Sequence, residues 1–258
     1  MEGRCRSRAA IYISSAMLRT LWFLTNLVIF TSYYASVAVI AGLIGIRAWK
    51  SGVYDWCIRE WSFKLLKAAR VPYKSSGMDK IPKGQPVVFV SNHQSWFDIF
   101  LLATQLPQPS KFVVKKELLK IPLLGRAIKS AGHIIIDRQD RTKAMDAYEN
   151  AAAAIREGVN AVVFAEGTRS RTGELLPFKK GPFVLAVAAQ VPIVPIYCAG
   201  TFSLLQKGSV RIRPQPIALL VGDPIPTAGL AYEDRQDLLQ KTRAAIEALR
   251  VDSALALG

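Results

Sequence analysis

A chain of 258 residues, 51% of them hydrophobic and carrying a formal net charge of +15, can bury one substantial core and is at once apolar and basic. That combination suits a protein on an anionic membrane or one handling phosphorylated substrates. Nucleic acid is not the expected partner, because there is no aromatic-basic RNA-binding signature, no zinc-finger spacing and no basic helix free of apolar residues. Three scattered cysteines, Cys5, Cys57 and Cys198, argue against a disulfide framework and for a reducing compartment. With two histidines and no Cys-x2-Cys, no protein-held metal is expected.

Between Arg19 and Arg47 lie 27 uncharged residues, long enough as a helix to cross a bilayer core of about 30 Å. A signal peptide is the alternative, with "SVA" (residues 36–38) as a cleavage site, but the apolar run continues past it. Arginines and lysines flank both ends: Arg4, Arg6, Arg8 and Arg19 before, Arg47, Lys50, Arg59, Lys64, Lys67 and Arg70 after. A single crossing does not account for positive charge on both sides. We therefore expect a shallow hairpin bent at "TSYYAS" (residues 31–36), with both ends on the cytoplasmic side. The next segment, "YDWCIREWSFKLLKAAR", spaces Tyr54, Ile58, Trp61, Leu65 and Ala68 as on one helix face, which reads as an interfacial amphipathic helix, with a core helix as the alternative. Residues 1–70 are thus expected to form a membrane-associated helical segment and residues 71–258 one α/β domain.

From Val71 the texture alternates. Apolar runs "VVFV", "KFVV", "HIII", "AVVF" and "VPIVPIY" are separated by helical patterns such as "WFDIFLLATQL" and "PLLGRAIKSAG". A third, "TKAMDAYENAAAAIREG", places Ala144, Tyr148, Ala151 and Ile155 on one stripe and ends at Gly158. Strands this continuously apolar should be covered on both faces, which predicts an α/β fold with a mostly parallel mixed sheet flanked by helices. "VRIRPQPIALLVGDPI" reads as a final strand pair broken by proline, and "EDRQDLLQKTRAAIEAL" as a closing helix.

The run "VVFV" is followed at once by "SNHQSWFD", which holds His93 and Asp98. Inside one helix these two would lie some 140° apart, so His93 must precede the helix that Asp98 begins. Ser95 as N-cap and Asp98 at N3 have capping-box spacing. From the first turn Asp98 can lean back to an imidazole, fix one ring nitrogen as N–H and leave the other as a base. Two plainer readings stand beside this: Asp98 only caps its helix, and His93 is a hydrogen-bonded turn residue. Downstream, "FAEGTRS" puts Glu166, Gly167, Thr168 and Arg169 at a strand's carboxyl end, where open α/β sheets bind ligands. Gly167 allows close backbone approach and Arg169 offers a planar fork for phosphate. A surface turn with a Glu-Arg salt bridge is the alternative there.

"NHQSWFD", "GHIIIDR", "FAEGTRS" and "VPIVPIY", in this order, together resemble the four blocks of the glycerolipid acyltransferase family, most closely its 1-acyl-sn-glycerol-3-phosphate acyltransferase branch. "FVVKKELLKIPLLG" is similar to that branch's segment between the first two blocks. The resemblance covers roughly residues 85–200. It implies transfer of a fatty acyl group from acyl-CoA or acyl-carrier protein to the sn-2 hydroxyl of lysophosphatidic acid, giving phosphatidic acid, with no cofactor beyond the thioester co-substrate. The nearest alternative is the same chemistry on another lysolipid, such as lyso-ornithine lipid. By the resemblance His93 is the general base and Asp98 orients it. Arg169 and Lys115 bind phosphate, Glu166 and Gly167 shape that pocket beside Thr168, and Arg138 helps hold an anionic substrate. No cysteine sits in a nucleophile setting with a His, which favours direct attack by the alcohol on the thioester. Backbone N–H groups near Gly167 or Thr168 are the expected oxyanion donors. His133 reads as structural, and Pro192 and Pro195 as shaping a strand end beside the acyl channel. The expected setting is a phospholipid membrane, the inner membrane of a bacterium, with the catalytic domain facing the cytoplasm.

Overall fold

The computed structural model describes residues 2–48, 52–137 and 140–257. The first helix, α1 (Glu2–Leu43), contains a 27-residue stretch, Met17–Leu43, long and apolar enough to cross a membrane. The bend expected at residues 31–36 is absent. None of those six residues is a Gly or Pro, and Trp61 Nε1 donates to Thr31 Oγ1 at 3.0 Å while Tyr34 and Ala35 are buried, so the helix runs straight through. The reversal comes just after α1 instead. Gly45 is left-handed (φ 80°), Ile46 N–H donates to Ala41 O and Gly45 N–H to Gly42 O, the paired bonds of a Schellman cap. Helix α2 (Gly52–Ala68) then returns antiparallel to α1.

Helix α2 packs as a core helix along one side. Tyr54, Cys57, Ser62, Leu65 and Leu66 are buried, and the helix is wedged between α1 and α3 (Phe97–Gln105). Only Trp56 and Phe63 present large apolar surface, 46% and 40% exposed. The seam between α1 and α4 (Leu124–Ser130) is built from small residues: Ala38 and Ala41 meet Ala127 and Ala131, and a Cβ on Gly42 would strike the Ser130 side chain.

The strands are β1 (Tyr73–Ser76), β2 (Val88–Ser91), β3 (Ser110–Lys115), β4 (Ile134–Ile136), β5 (Asn160–Phe164), β6 (Ile193–Ala199) and β7 (Ile217–Val221), in the order β1-β7-β6-β2-β5-β3-β4. β7 is antiparallel to β6 and β1 is parallel to β7, so these two run against the other five and the sheet is mixed but mostly parallel. The remaining helices are α5 (Arg141–Arg156), α6 (Gly181–Ala189), α7 (Thr201–Leu204) and α8 (Arg235–Leu257). Residues alternate along β2: Phe89 joins a cluster with Phe23, Leu65 and Phe97 on the α1–α3 face, whereas Val88 and Val90 join Ile155, Phe183 and Ile246 on the α5, α6 and α8 face. On α5, Ala151 and Ile155 are buried as the stripe requires, and Gly158 ends the segment with φ 106°.

Two proline-based expectations change. Residues 210–225 form one strand, not a pair, because Pro214 and Pro216 remove two ladder N–H groups and pairing starts only at Ile217. Pro195 lies inside β6 opposite Val90, and Pro192 precedes β6 with its carbonyl accepting from Val88 N–H. Pro192 therefore stands at the edge of the sheet remote from the strands' carboxyl ends.

One polar contact pins α2 to the sheet. Lys111 of β3 is 1% exposed and its Nζ lies 3.0 Å from Asp55 Oδ1 on α2. Removing one partner of such a pair leaves a buried charge unanswered. Asp55→Asn should therefore destabilise the fold by about 3 kcal/mol, and Asp55→Asn with Lys111→Met should recover much of the loss. Thermal unfolding of both variants in detergent checks this.

Candidate active site

β2 ends at Ser91, and the side chain of Asn92 continues its pairing: Cys198 N–H on β6 donates to Asn92 Oδ1 at 2.7 Å and Asn92 Nδ2 donates to Cys198 O at 3.1 Å. The chain thus leaves the sheet in a set direction, and His93 emerges at the strands' carboxyl edge. Its backbone is clamped on both sides by the segment after β5, its N–H donating to Glu166 Oε1 at 2.8 Å and its carbonyl accepting from Ser170 N–H at 2.8 Å. Its ring stacks on Phe164, the last residue of β5, with centroids 3.8 Å apart and planes 14° from parallel.

His93 Nδ1 lies 2.9 Å from Asp98 Oδ2, and that same oxygen accepts the N–H groups of Gln94 (2.6 Å) and Ser95 (2.8 Å). An ionised carboxylate only accepts, so Nδ1 carries the hydrogen and Nε2 is left as the basic nitrogen. The capping role and the orienting role of Asp98 coexist. Its bond to Ser95 N–H is the return half of a capping box, while Ser95 Oγ donates to Leu205 O at 2.8 Å and accepts Phe97 N–H at 3.4 Å. Asp98 is fully buried.

His93 lines a cavity of about 440 Å³ that continues between α1, α2, α4 and β3, with walls including Ala38, Cys57, Ile58, Trp61 and Ile128. Thr168, Arg169, Lys115 and Gly167 line the same cavity, so the fold brings these expected residues together around His93. Arg169 Cζ sits 4.8 Å from the centre of the half-exposed Trp96 ring. Burial lowers the Arg169 pKa from its ordinary value, and the Asp98 charge works in the opposite direction. Gly167 turns with φ 70°, a conformation that favours glycine, and its N–H is spent on Phe164 O at 3.1 Å. Of the two expected oxyanion donors this leaves Thr168 N–H, which has no acceptor among the described residues.

Glu166 does not line the cavity. It is 1% exposed and braces the site from behind, Oε1 taking the His93 N–H and Oε2 the Leu176 N–H at 3.1 Å. Its side chain is turned inward by those two donors, so any influence on the cavity passes through the backbone it holds. Arg138 lies outside the described residues. His133 accepts Phe112 N–H at Nδ1 (3.2 Å), and burial, helped by nearby Lys111, drops its pKa to about 3, so it is a neutral wall of the cavity. The sequence reading assigned nothing to Asn92, Trp96 or Lys207. Lys207 Nζ donates to Thr168 Oγ1 (2.9 Å) and Arg169 O (3.2 Å), and it too lines the cavity. Asn92 directly precedes His93 and Trp96 lies between His93 and Asp98, so both could have been suspected, whereas Lys207 has no spacing signal at all.

A histidine-carboxylate pair and several cations thus meet at the carboxyl edge of a mixed α/β sheet, beside a largely apolar cavity. Residues 73–199 match the model of the Acyltransferase family, and the chain belongs to that family. Among its relatives, 1-acyl-sn-glycerol-3-phosphate acyltransferase alpha of Homo sapiens is 38% identical over 181 residues, 70% of this chain and 63% of that protein. The 1-acyl-sn-glycerol-3-phosphate acyltransferases of Cocos nucifera (38% identical, 54% of this chain and 46% of the relative) and Limnanthes douglasii (39%, 61% and 56%) are similar as well. The chain spans about half the length of these two plant relatives. The crystal structure of the 1-acyl-sn-glycerophosphate (LPA) acyltransferase PlsC from Thermotoga maritima superposes with a TM-score of 0.74 at 26% identity, covering 92% of this chain and 96% of that one.

Burial pushes the Glu166 carboxyl up to about 7, against the pull of its two N–H donors. The folded chain then holds a proton that the unfolded chain releases near 4.5. The stability this group contributes is fully present below that pH and is lost as pH rises through about 7. Glu166→Gln removes the titration. The difference in thermal midpoint between wild type and Glu166→Gln should therefore shrink steadily from pH 4.5 to 7, which melting curves across that range measure directly.

Proposed function

We propose that the protein transfers a fatty acyl group from an acyl-CoA or acyl-carrier-protein thioester to the sn-2 hydroxyl of lysophosphatidic acid, forming phosphatidic acid in phospholipid biosynthesis. The observation that carries this reading is that the His93–Asp98 couple, Arg169 and Lys115 all face one cavity whose remaining walls are largely apolar. Its relatives' names supply the same substrate.

In this mechanism Asp98 holds His93 with Nε2 toward the cavity, and Nε2 takes the proton of the acceptor hydroxyl as its oxygen attacks the thioester carbonyl. The tetrahedral oxyanion collapses, the C–S bond breaks, and the imidazolium returns the proton to the departing thiolate. Thr168 N–H is the candidate donor to the oxyanion. Arg169, backed by Trp96, and Lys115 hold the phosphate, while the apolar cavity takes an acyl chain. A volume of about 440 Å³ lies within the range of sites that enclose small ligands, roughly 300–1,000 Å³.

Membrane attachment belongs to the same reading. On α1, Leu18, Leu21, Trp22, Val28 and Ile29 are 55–65% exposed, although the opposite side of the helix packs against the domain along much of its length. A helix tied down in this way fits partial immersion beside the domain better than a perpendicular crossing, which would drag polar domain surface into hydrocarbon. Residues 1–70 then form the membrane-associated segment and residues 71–258 the acyltransferase domain. We place the protein at the inner membrane of a bacterium with that domain facing the cytoplasm, a setting that suits the free thiols of Cys57 and Cys198.

A detergent-solubilised assay with lysophosphatidic acid, lyso-ornithine lipid and a series of acyl thioesters tests the proposal. Preference for the phosphate-free acceptor would overturn it. His93→Ala should lower kcat by about 10³-fold with an unchanged melting profile. Arg169→Ala should mainly raise KM for the phosphorylated acceptor, by roughly tenfold or more, and steady-state kinetics separate the two effects.

A further inference from the structure

Lys207 stands near the start of the loop that joins α7 to β7, far in sequence from every other group around His93. It nonetheless lines the same cavity as His93, Lys115 and Arg169. An ammonium has three N–H donors. Two are spent on Thr168 Oγ1 and the Arg169 carbonyl, leaving one for a group in the cavity.

Holding the loop in place does not account for a charge at this position. The loop is already fastened by Ser95 Oγ to Leu205 O at 2.8 Å, by Arg213 N–H to Leu204 O at 2.9 Å and by Gln215 Nε2 to Gly200 O. Nor does an acid neutralise it, since Lys207 has no carboxylate within ion-pair distance among the described residues. Its pKa is lowered from the ordinary value, by desolvation first and then by the charges of Arg171, Arg169 and Lys115. A lysine set among three other cations raises the energy of the empty site, and an anion bound among them relieves it.

We infer that Lys207 is a further headgroup-binding residue which, with Arg169 and Lys115, selects acceptors ending in a phosphomonoester over those carrying a phosphodiester. The inference rests on the acyltransfer reading above and adds to it a residue and a basis for acceptor choice. A phosphomonoester carries close to two negative charges at neutral pH and has three terminal oxygens, whereas a phosphodiester carries one charge and has two. The terminal oxygens of the former can meet Arg169, Lys115 and Lys207 separately. A diester gives up one oxygen to its second ester bond and meets the third cation with less charge.

The test uses the full chain in detergent, a fixed palmitoyl-CoA donor, and lysophosphatidic acid and lysophosphatidylglycerol as acceptors. Wild type is measured first: if it acylates neither, the acyltransfer reading fails, irrespective of Lys207. Given wild-type turnover of lysophosphatidic acid, Lys207→Gln keeps side-chain donors without the charge. Its KM for lysophosphatidic acid should rise about tenfold, kcat should change far less, and the preference for lysophosphatidic acid over lysophosphatidylglycerol should fall about tenfold. Lys207→Arg should restore most of that preference. An unchanged KM and preference in Lys207→Gln overturns the inference. An equal loss on both acceptors, or a loss carried in kcat alone, overturns it too, because that is what a purely structural tether would produce.

Discussion

One carboxylate oxygen organises this site. Asp98 Oδ2 accepts from the His93 ring and from the backbone N–H groups of Gln94 and Ser95, all within 2.9 Å. The two backbone bonds set the turn between β2 and α3, and the third bond sets the imidazole. Because the same atom does both, the orientation of the base is as rigid as the start of the helix. Charge-assisted bonds of this kind are about twice as strong as neutral ones, and complete burial removes water as a competitor. The arrangement therefore needs neither a third triad member nor a protein nucleophile, provided that the acceptor alcohol itself attacks.

The rest of the site is held by the segment that follows β5. Phe164 supplies a face for the imidazole, Glu166 and Ser170 grip the backbone of His93 from either side, and Thr168 and Arg169 reach the cavity. The His93 backbone and Arg169 are therefore positioned by one piece of chain, while Lys115 comes from the end of β3 and Lys207 from the loop after α7. A shift of this turn would move Arg169 and His93 together, which preserves their separation. Gln94 adds another tie, its Nε2 donating to Gly173 O at 2.5 Å.

The helices ahead of the sheet are part of this machinery. Phe23 of α1 packs 5.4 Å from Phe97, next in sequence to Asp98, and Trp61 of α2 lies edge-on to Phe100 of α3 at 5.1 Å. The same two helices wall the cavity and leave an apolar face outward. On the acyltransfer proposal, a lipid substrate approaching along that face would meet His93 without leaving an apolar surface, and the seam of alanines with Gly42 keeps α1 close enough to complete the cavity.

The amino-acid sequence by itself determined the elements whose cause is local. The apolar runs became buried parallel strands, and the first-turn position of Asp98 predicted its reach back to His93. Local cues misled where the deciding force was packing. "TSYYAS" is polar enough to suggest a bend but is held helical by Trp61, and α2 has an amphipathic pattern that does not say whether its apolar side meets lipid or protein. The inward turn of Glu166 could not be read locally, because the backbone N–H groups that hold it belong to His93 and Leu176, 73 and 10 residues away. Lys207 was invisible, since its partners lie 38 and 39 residues earlier and only the closure of the sheet brings them within hydrogen-bond range. Periodicity and capping act over a few residues and can be read from the order of the chain; which charges share a cavity depends on distances that exist only once the sheet and its covering helices have assembled.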